Sequence, residues 1–417
     1  MKNSVLRFLI TPNFAAPYDK RMVSGLAEGL NAIGHQTIAL PAPVSSREVA
    51  LQCEQYSIDI LIQINRTRSP DVELPGKVRY ISWFQDVFPE TLNNFAECFH
   101  ESDILYALGD PSVLGLNARM PCFVGSLVTG VDPEIFNLKK TDTCESIDFS
   151  LCGFIPPPLS RKRSVLQYLI TRNIKYYTSE IIIKTVEETY TPLCGALNIH
   201  ELELSIRNNI NNHHEQRRKN KPELLKSLSN FRRSINFRHK SDPRLQRQFE
   251  KSLNYFTREY PRLLDRVALI DKALSISEVL ELYGPGWDKH KKYKKYAKGV
   301  ISTQSGLSEI YRKSRINLAN NTHGLGLHSR TLECMAVGGF IFTHESPHDM
   351  KPGGMLTSFE PGTHFGNFKP DNFREEALRW LNDNKRRLEA GIRASEIIKQ
   401  RHLWRHRARQ IINDLME

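Results

Sequence analysis

The residues from Arg315 to Thr343 constrain the fold of this chain more than any other segment. Ile316–Leu318 is a short apolar run typical of a buried parallel strand, and Phe340–Phe342 is a second run of the same kind. A loop rich in asparagine, glycine and histidine follows the first run and leads into a predicted helix over Arg330–Ala336. Two glycines end that helix before the second strand begins. This order of strand, loop, helix and strand predicts an open parallel sheet.

The loop after Leu318 and the helix start that follows it lie where such a sheet binds ligands. Backbone N–H groups and the positive end of the helix dipole favour an anion there, for example a diphosphate. Arg330 can bind phosphate through paired hydrogen bonds, with an ion pair to Glu333 as the alternative. Glu333 can accept hydrogen bonds from sugar hydroxyls, or it is an exposed helix glutamate. The pattern predicts a site for a nucleotide attached to a sugar.

The first third of the chain alternates strands and helices. A helix with one apolar face is predicted over Lys20–Ile33, and Gly34 ends it. Six strands are predicted at residues 5–10, 37–40, 58–64, 78–83, 104–106 and 123–127. These elements predict a doubly wound α/β domain over residues 1–135.

A second α/β domain is predicted over residues 146–400, after a polar connection at residues 137–146. Its predicted strands and helices include residues 148–152, 279–282, 307–313, 374–384 and 385–401. Residues 344–371 are predicted to be a loop. A last helix within residues 401–417 is predicted to pack back toward the first domain.

Residues 170–265 break this alternation and are predicted to be a basic helical insertion, either a small subdomain or a partly mobile segment. Within it, residues 207–247 carry twelve lysines and arginines and three acidic residues, hence a net charge of +9. A second basic cluster at residues 289–298 interleaves six lysines with Tyr293 and Tyr296. With the net charge of +12 for the chain, these segments indicate an anionic partner, with solvated surface charge as the alternative.

The composition indicates a cytoplasmic protein. Hydrophobic residues make up 40% of the chain, but no apolar run is long enough to predict a transmembrane helix, and the first apolar run is too short for a signal peptide. The seven cysteines are odd in number and form no CxxC pair, which favours reduced thiols. The histidines near residues 323–348 match no metal-ligand spacing, so no essential metal is expected.

Several short motifs follow one another in a recognisable order. They are the hinge Gly130-Val-Asp132, the strand end at Gly153, the turn Tyr283-Gly-Pro-Gly286, the segment Arg330-x-x-Glu333-x-x-Ala336-x-Gly338, the element Trp83-Phe-Gln-Asp86 and the terminal His402-Leu-Trp404-Arg405-His-Arg407. In this order the chain resembles the GT-B glycosyltransferases of group 1, the family 4-like class. Within that class it resembles the branch typified by the spore maturation protein CgeB. The resemblance covers about residues 75–165 and 265–415.

The resemblance implies two Rossmann-like domains that face each other across a cleft. A UDP- or GDP-linked sugar would lie mostly on the C-terminal domain, and the acceptor on the N-terminal domain, without a bound metal. In the larger class two glutamates eight positions apart contact the donor; Glu333 matches the second, at the ribose hydroxyls, and the first falls on Leu325. The residues expected to contact the donor near that position instead are His323, Gly324, Gly326 and Leu327.

Other donor contacts are implied near the diphosphate. Family members use basic residues after the first strand of the second domain, and the candidates here are Arg163, Arg161 and Lys162, with a solvated helix start as the alternative. Gly284 and Gly286 would allow the backbone to approach the base or the phosphates closely.

Asp86, with Gln85 beside it, follows a hydrophobic strand at the inner edge of the first domain. Asp86 is predicted to act as a general base on the acceptor hydroxyl, with Gln85 and His323 as further catalytic candidates. The alternative for Asp86 is to cap a following helix, whose first turn Pro89 and Glu90 would suit.

Together, these features predict an enzyme that moves a sugar from a nucleotide to a hydroxyl group of a glycan, a lipid-linked acceptor or a protein. The basic segments would bind an anionic acceptor or the inner face of the membrane. One alternative is a nucleic-acid-binding protein that uses residues 207–247. Another is a sugar-nucleotide-binding scaffold without catalysis, which the missing acid at Leu325 favours.

Overall fold

A computed structural model describes most of the chain. The described residues are 5–69, 71–85, 95–112, 120–138, 145–156, 182–195, 197, 199–220, 253, 255–322 and 324–416. The predictions made for Asp86, Arg161, Lys162, Arg163 and His323 fall outside these ranges, as does much of the predicted insertion.

The first sheet contains six parallel strands among the described residues, in the order β2-β1-β3-β4-β5-β6. The strands are β1 (Arg7–Thr11), β2 (Gln36–Ala39), β3 (Ile60–Ile64), β4 (Arg79–Phe84), β5 (Ile104–Ala107) and β6 (Phe123–Ser126). All six predicted strands are confirmed, with bounds shifted by at most two residues. The order changes direction between β1 and β3, so a crevice opens at the carboxyl ends of these strands.

Helices α1 (Pro17–Asn31) and α2 (Ser46–Gln55) pack on this sheet. Helix α1 begins three residues before its predicted start because Pro17 suits the first helical position. The predicted apolar face of α1 is buried, including Met22, Leu26 and Leu30. Helix α2 was not predicted, although the Ser45 hydroxyl accepts a hydrogen bond from the Glu48 amide as an N-cap.

The second sheet also contains six parallel strands among the described residues, in the order β12-β11-β10-β7-β8-β9. The strands are β7 (Ile147–Cys152), β8 (Leu280–Tyr283), β9 (Ala297–Gly299), β10 (Ser314–Ala319), β11 (Ile341–His344) and β12 (Gly366–Phe368). The order changes direction between β7 and β10. The loop prediction for residues 344–371 is wrong at β12, because a three-residue strand leaves no periodic pattern in the sequence.

Helices on both faces of the second sheet complete a doubly wound architecture, and the predicted α/β fold class is confirmed. They are α3 (Ile199–Asn220), α4 (Tyr260–Leu274), α5 (Gln304–Lys313), α6 (Ser329–Ala336), α7 (Phe373–Asn382) and α8 (Asn384–Arg401). The described part of the predicted insertion is helical and shares a hydrophobic cluster with the sheet, through residues such as Val186 and Ile206. That part is therefore a layer of the second core.

The last helix, α9 (Trp404–Met416), packs against α1 on the first sheet. The Trp404 side chain and backbone fill the space where a Cβ atom would stand on Gly25, Gly29 and Gly130. The Arg407 guanidinium donates to the Thr129 carbonyl over 3.1 Å. The chain therefore passes back from the second domain to the first just before α9. Trp404 and Arg407 hold this return segment against residues 129–130, where the chain first leaves the first domain. Among the described helices, none has the length and apolar composition needed to span a bilayer.

Candidate functional site between the two sheets

A cavity of about 580 Å³ lies between the two sheets. Its walls include Phe154 just beyond β7, the residues 320–322 after β10, and Gln85 after β4. Strands β7 and β10 are the neighbours at which the order of the second sheet changes direction. Parallel sheets bind ligands at the carboxyl ends of such strands, so the topology itself places a site here.

Four arginines line this cavity: Arg258, Arg262, Arg266 and Arg330. The first three are spaced four residues apart on α4 and the turn before it, so they share one helical face. Among the described residues that line the cavity, Glu259 is the only carboxylate, and it forms an ion pair with Arg262 at 3.0 Å. The lining side chains therefore carry four positive charges against one negative charge.

Arg266 lies deepest in this arginine cluster and is 2% exposed. Its Nε atom donates to the Asn320 side-chain oxygen over 3.1 Å. Its Nη1 atom has no hydrogen-bond partner in the described part of the chain. Burial, followed by the charges of Arg330 and Arg262, lowers the pKa of Arg266 well below its ordinary value. A guanidinium held in this way is stabilised by an anion.

His328 caps the start of α6 beside the same arginines. Its Nδ1 atom accepts a hydrogen bond from the Arg330 amide over 3.4 Å. Burial and then the charge of Arg330 lower the pKa of His328 well below 6.5, so the ring is neutral at physiological pH. The helix start therefore presents a neutral imidazole and adds no charge to the cavity.

Gly153 and Phe154, just beyond β7, lie directly against the arginines. A Cβ atom on Gly153 would lie 2.8 Å from an Arg330 Nη atom, so glycine makes room for that side chain. The guanidinium carbons of Arg262 and Arg266 lie 5.3 Å and 4.8 Å from the centre of the Phe154 ring. Cation–π contacts of this kind hold both arginines in position without neutralising them.

Glu333 faces a second, smaller cavity of about 340 Å³, which Lys20, Asp132 and Gln304 also line. Its carboxylate is 4% exposed and forms an ion pair with Arg21 of α1 at 3.2 Å. The other carboxylate oxygen has no hydrogen-bond partner among the described residues. Burial raises the pKa of Glu333 to about 7, against the opposing charges of Arg21 and Arg330.

The two cavities are separated by a partition of four residues from both domains. Tyr18 and His328 line the larger cavity, and their rings stack at 6.3 Å. Arg21 and Glu333 line the smaller cavity, and the Arg21 guanidinium lies 5.6 Å from the centre of the Tyr18 ring. The alternative ion pair between Glu333 and Arg330 is not formed within the described ranges; those two side chains point to different cavities.

The glycines predicted to contact the donor differ in whether they line a cavity. Gly284 and Gly286 have positive φ angles of 122° and 98°. Cβ atoms there would clash with the carbonyl oxygens of Gly153 and Ile155, so these glycines brace the loop after β7. They are not among the lining residues of either cavity. Gly326 does line the larger cavity.

The neighbours of Gly326 support the loop from behind. Gly324 has a φ of 69°, and a Cβ atom there would lie 2.7 Å from the His348 side chain. The Leu327 amide donates to the Gly353 carbonyl over 2.8 Å. These two residues therefore hold the loop that carries Gly326 and His328 against the segment near residue 353.

Leu325 occupies the position at which the resemblance leads one to expect a glutamate. Its side chain packs across the cleft against the hydrophobic clusters of the first domain. Its Cδ2 atom occupies the place where Gly109 would otherwise carry a Cβ atom. In this chain the position makes a contact between the domains, and it contributes an apolar group to the cavity.

The sequence did not reveal the roles of three arginines, on α4 and the turn before it, or of the pair Tyr18 and Arg21. The arginines were assigned to the border of a polar insertion, although their spacing of four residues was visible in the sequence. Tyr18 and Arg21 carry no local signal, because their role depends on the second domain.

Comparison with known proteins agrees with this architecture. Residues 258–413 match a family model described as glycosyl transferase-like. Sucrose-phosphate synthase from Thermosynechococcus elongatus is similar in structure, with a TM-score of 0.51 at 8% identity over 98% of both chains. Alr3699/HepE from Anabaena, in a structure with UDP-glucose, has a TM-score of 0.50 at 10% identity over 99% of both chains. No curated protein shows significant similarity to the chain.

The match to the family model begins at Arg258, the first arginine of the cavity, and includes α4, α6 and most of α9. The similarity of the solved structures extends over both sheets. The chain therefore has the GT-B fold, and its residues 258–413 are similar to the glycosyl transferase-like family.

Proposed function

We propose that this protein transfers a sugar from a nucleoside-diphosphate sugar to an acceptor hydroxyl. The observation that carries the proposal is the arginine cluster in the cavity. Four arginines and one glutamate line it at the switch point of the second sheet, and Arg258 and Arg266 are buried. Guanidinium groups bind phosphate oxygens through paired hydrogen bonds. A cationic pocket of this kind binds a diphosphate and stabilises it as a leaving group.

The charge of the cavity suits a leaving diphosphate better than an intact donor. A sugar nucleotide carries about two negative charges and the released nucleoside diphosphate about three, since a terminal phosphate adds nearly one further charge at pH 7. The lining residues supply four positive charges and one negative charge. The arginines thus interact most strongly with the charge that develops as the glycosidic bond breaks, which is how electrostatic catalysis lowers a barrier. For this reason we propose a metal-independent reaction.

We further propose that the pentose of the donor lies toward Glu333. Arg330 and Glu333 are one turn apart on α6, and each lines one of the two cavities. A nucleoside diphosphate bound to Arg330 therefore has its ribose within reach of the partition. The unpartnered Glu333 oxygen would accept a hydrogen bond from a ribose hydroxyl, once Arg21 and Tyr18 give way.

The acceptor is proposed to enter the cavity from the side of the first domain. Asp86 remains our candidate for the general base. A glycan, a lipid-linked acceptor or a protein would each provide the hydroxyl. We also propose that the enzyme is cytoplasmic and contacts an anionic membrane face. The UDP-glucose in the Anabaena structure supports UDP-linked donors as the first ones to test.

A thermal-shift screen tests the proposal directly. The protein is heated with UDP, GDP, UDP-glucose, GDP-mannose or RNA, and the same set is applied to the Glu333→Ala variant. We expect one nucleotide family to raise the melting temperature of the wild type and to raise that of the variant less. A shift with RNA and none with any nucleotide would contradict the proposal.

A non-catalytic scaffold is the second candidate, because Leu325 stands where an acidic residue is expected. Both candidates predict nucleotide binding, so binding does not separate them. Incubation with the donor selected by the screen does: an enzyme releases nucleoside diphosphate with time, and a scaffold releases none.

A further inference from the structure

Gln85 is a buried residue whose side-chain amide has no hydrogen-bond partner among the described residues. It directly follows β4 and is 5% exposed, and its backbone amide donates to the Asn65 side-chain oxygen over 2.7 Å. The Oε1 and Nε2 atoms of its own side chain have no hydrogen-bond partner in the described part of the chain. The residue lines the larger cavity. Because buried polar groups are nearly always hydrogen-bonded, an unpaired amide on a cavity wall indicates a ligand.

Gln63 shows how the same fold treats an amide that has a structural role. It lies on the neighbouring strand β3 and is also 5% exposed. Its Nε2 atom donates to the Thr11 hydroxyl over 3.0 Å, and its Oε1 atom accepts from the Tyr80 hydroxyl over 3.2 Å. Among the described residues, the first domain therefore gives partners to both polar atoms of the Gln63 amide and to neither polar atom of the Gln85 amide.

The described residues of the cavity wall around Gln85 carry no charge. Leu108 is its neighbour across the sheet, where the Leu108 amide donates to the Phe84 carbonyl over 2.8 Å. Leu325 and Met355 line the same cavity, and so does Asn321, which is 4% exposed and whose Oδ1 atom has no partner among the described residues. The charged lining residues all lie on α4, the turn before it, and α6. The cavity thus has an arginine wall and an uncharged wall.

We propose that the uncharged wall binds the sugar ring of the donor, and that the Gln85 carboxamide hydrogen-bonds its hydroxyl groups. The carboxamide offers two donors and an acceptor, and Asn321 adds a second acceptor, which matches hydroxyl groups that both donate and accept. Apolar contacts from Leu108 and Leu325 suit the faces of an uncharged ring. This inference rests on the proposed function and adds to it a substrate class, the nucleotide-linked neutral sugars.

Calorimetric titration of two variants tests the assignment, with UDP and GDP compared with UDP-glucose and GDP-mannose. In Gln85→Leu we expect the affinity for the nucleotide sugar to fall about tenfold and that for the nucleoside diphosphate to stay within about twofold, because only the sugar loses a partner. The melting temperature of this variant should not fall, since no internal hydrogen bond is lost. Gln63→Leu, the matched control, should melt lower and bind both ligands in the wild-type ratio.

Equal losses for the sugar-linked and sugar-free nucleotides in Gln85→Leu, or no loss for either, would overturn the role of Gln85. Tighter wild-type binding of UDP-glucuronate than of UDP-glucose would overturn the neutral-sugar class. If the wild type binds no nucleotide at all, the proposed function fails first, and this outcome is distinct from a failure at Gln85 alone.

Discussion

Two basic regions of this protein carry charge of the same sign in opposite environments. The arginine cluster lines a cavity, and its innermost member, Arg266, is 2% exposed. The lysines of residues 289–298 lie on the surface, and three of them are paired with acidic residues. The pairs are Lys292 with Asp271, Lys295 with Glu278 and Lys298 with Glu281. Local charge density is higher in the lysine segment. A bound anion nevertheless stabilises the arginines of the cavity more, because solvent is excluded around them.

The tyrosines of the lysine segment separate the two regions further. Tyr293 and Tyr296 are 3% and 8% exposed and belong to the core of the second domain. Aromatic rings that bind single-stranded nucleic acid must be free to stack on bases. The interleaved tyrosines therefore do not support the nucleic-acid alternative, because they alternate with the lysines for packing reasons.

The largest effect should follow from removing the buried charge. In Arg266→Met we expect nucleotide affinity to fall about 1000-fold, or about 4 kcal/mol, because a desolvated charge that binds phosphate is lost. The melting temperature should not fall, since Arg330 and Arg262 already disfavour a charge at this position. Calorimetric titration and thermal melting measure the two quantities. Lys294→Met on the exposed segment is the control and should change neither, whereas unaltered affinity in Arg266→Met would remove the distinction between the regions.

A second prediction concerns the pH dependence of a buried carboxyl group. The pKa of Glu333 is about 7 in the folded protein and 4.5 in the reference state. Below pH 4.5 the group is neutral in both states, and between pH 4.5 and 7 the unfolded state loses its proton first, so stability falls as pH rises. Above pH 7 the loss is constant at roughly 3 kcal/mol.

Urea denaturation of Glu333→Gln measures this contribution. Relative to the wild type, the variant should gain stability as the pH rises from 4.5 to 7 and then stay parallel to it. Glu278→Gln, at an exposed pair with Lys295, is the control and should show no such trend. If both variants respond alike to pH, burial is not what distinguishes the Glu333 carboxyl group.

The smallest effect is expected on the lysine segment. Replacing Lys289, Lys291 and Lys294 by glutamine should change the free energy of unfolding by less than about 0.5 kcal/mol, because exposed charges contribute little. Nucleotide affinity should remain at the wild-type value. A marked loss of acceptor turnover in this variant would instead identify the segment as an acceptor-binding surface and bring the two basic regions together in one function.

Much of the fold could be predicted from the sequence. Alternating apolar runs identified all six strands of the first sheet, and the segment from β10 to β11 was predicted correctly as strand, loop, helix and strand. Glycine and asparagine patterns predicted the end of α6 and the loop before it. These features depend on neighbours within a few residues, so a local pattern is sufficient to reveal them.

The composition of the site could be predicted only in part. Arg330 and Gly326 were predicted, and both line the larger cavity. Glu333 was expected at the ribose hydroxyls, which stays a prediction; its ion pair with Arg21, more than 300 residues away in sequence, and its place on the second cavity were not predicted. Gly284 and Gly286 suggested a ligand, but the close approach that they allow is to the loop after β7.

The sequence by itself determined the class of fold, the order of the strands along the chain and the loop that opens α6, because periodicity and turn chemistry act over short distances. Only the tertiary structure decided which charges are buried, which amide lacks a partner and which residues of one domain contact the other. Those properties depend on how two sheets exclude water from the space between them. Desolvation is a property of the assembled surfaces, and no residue carries it in its local sequence.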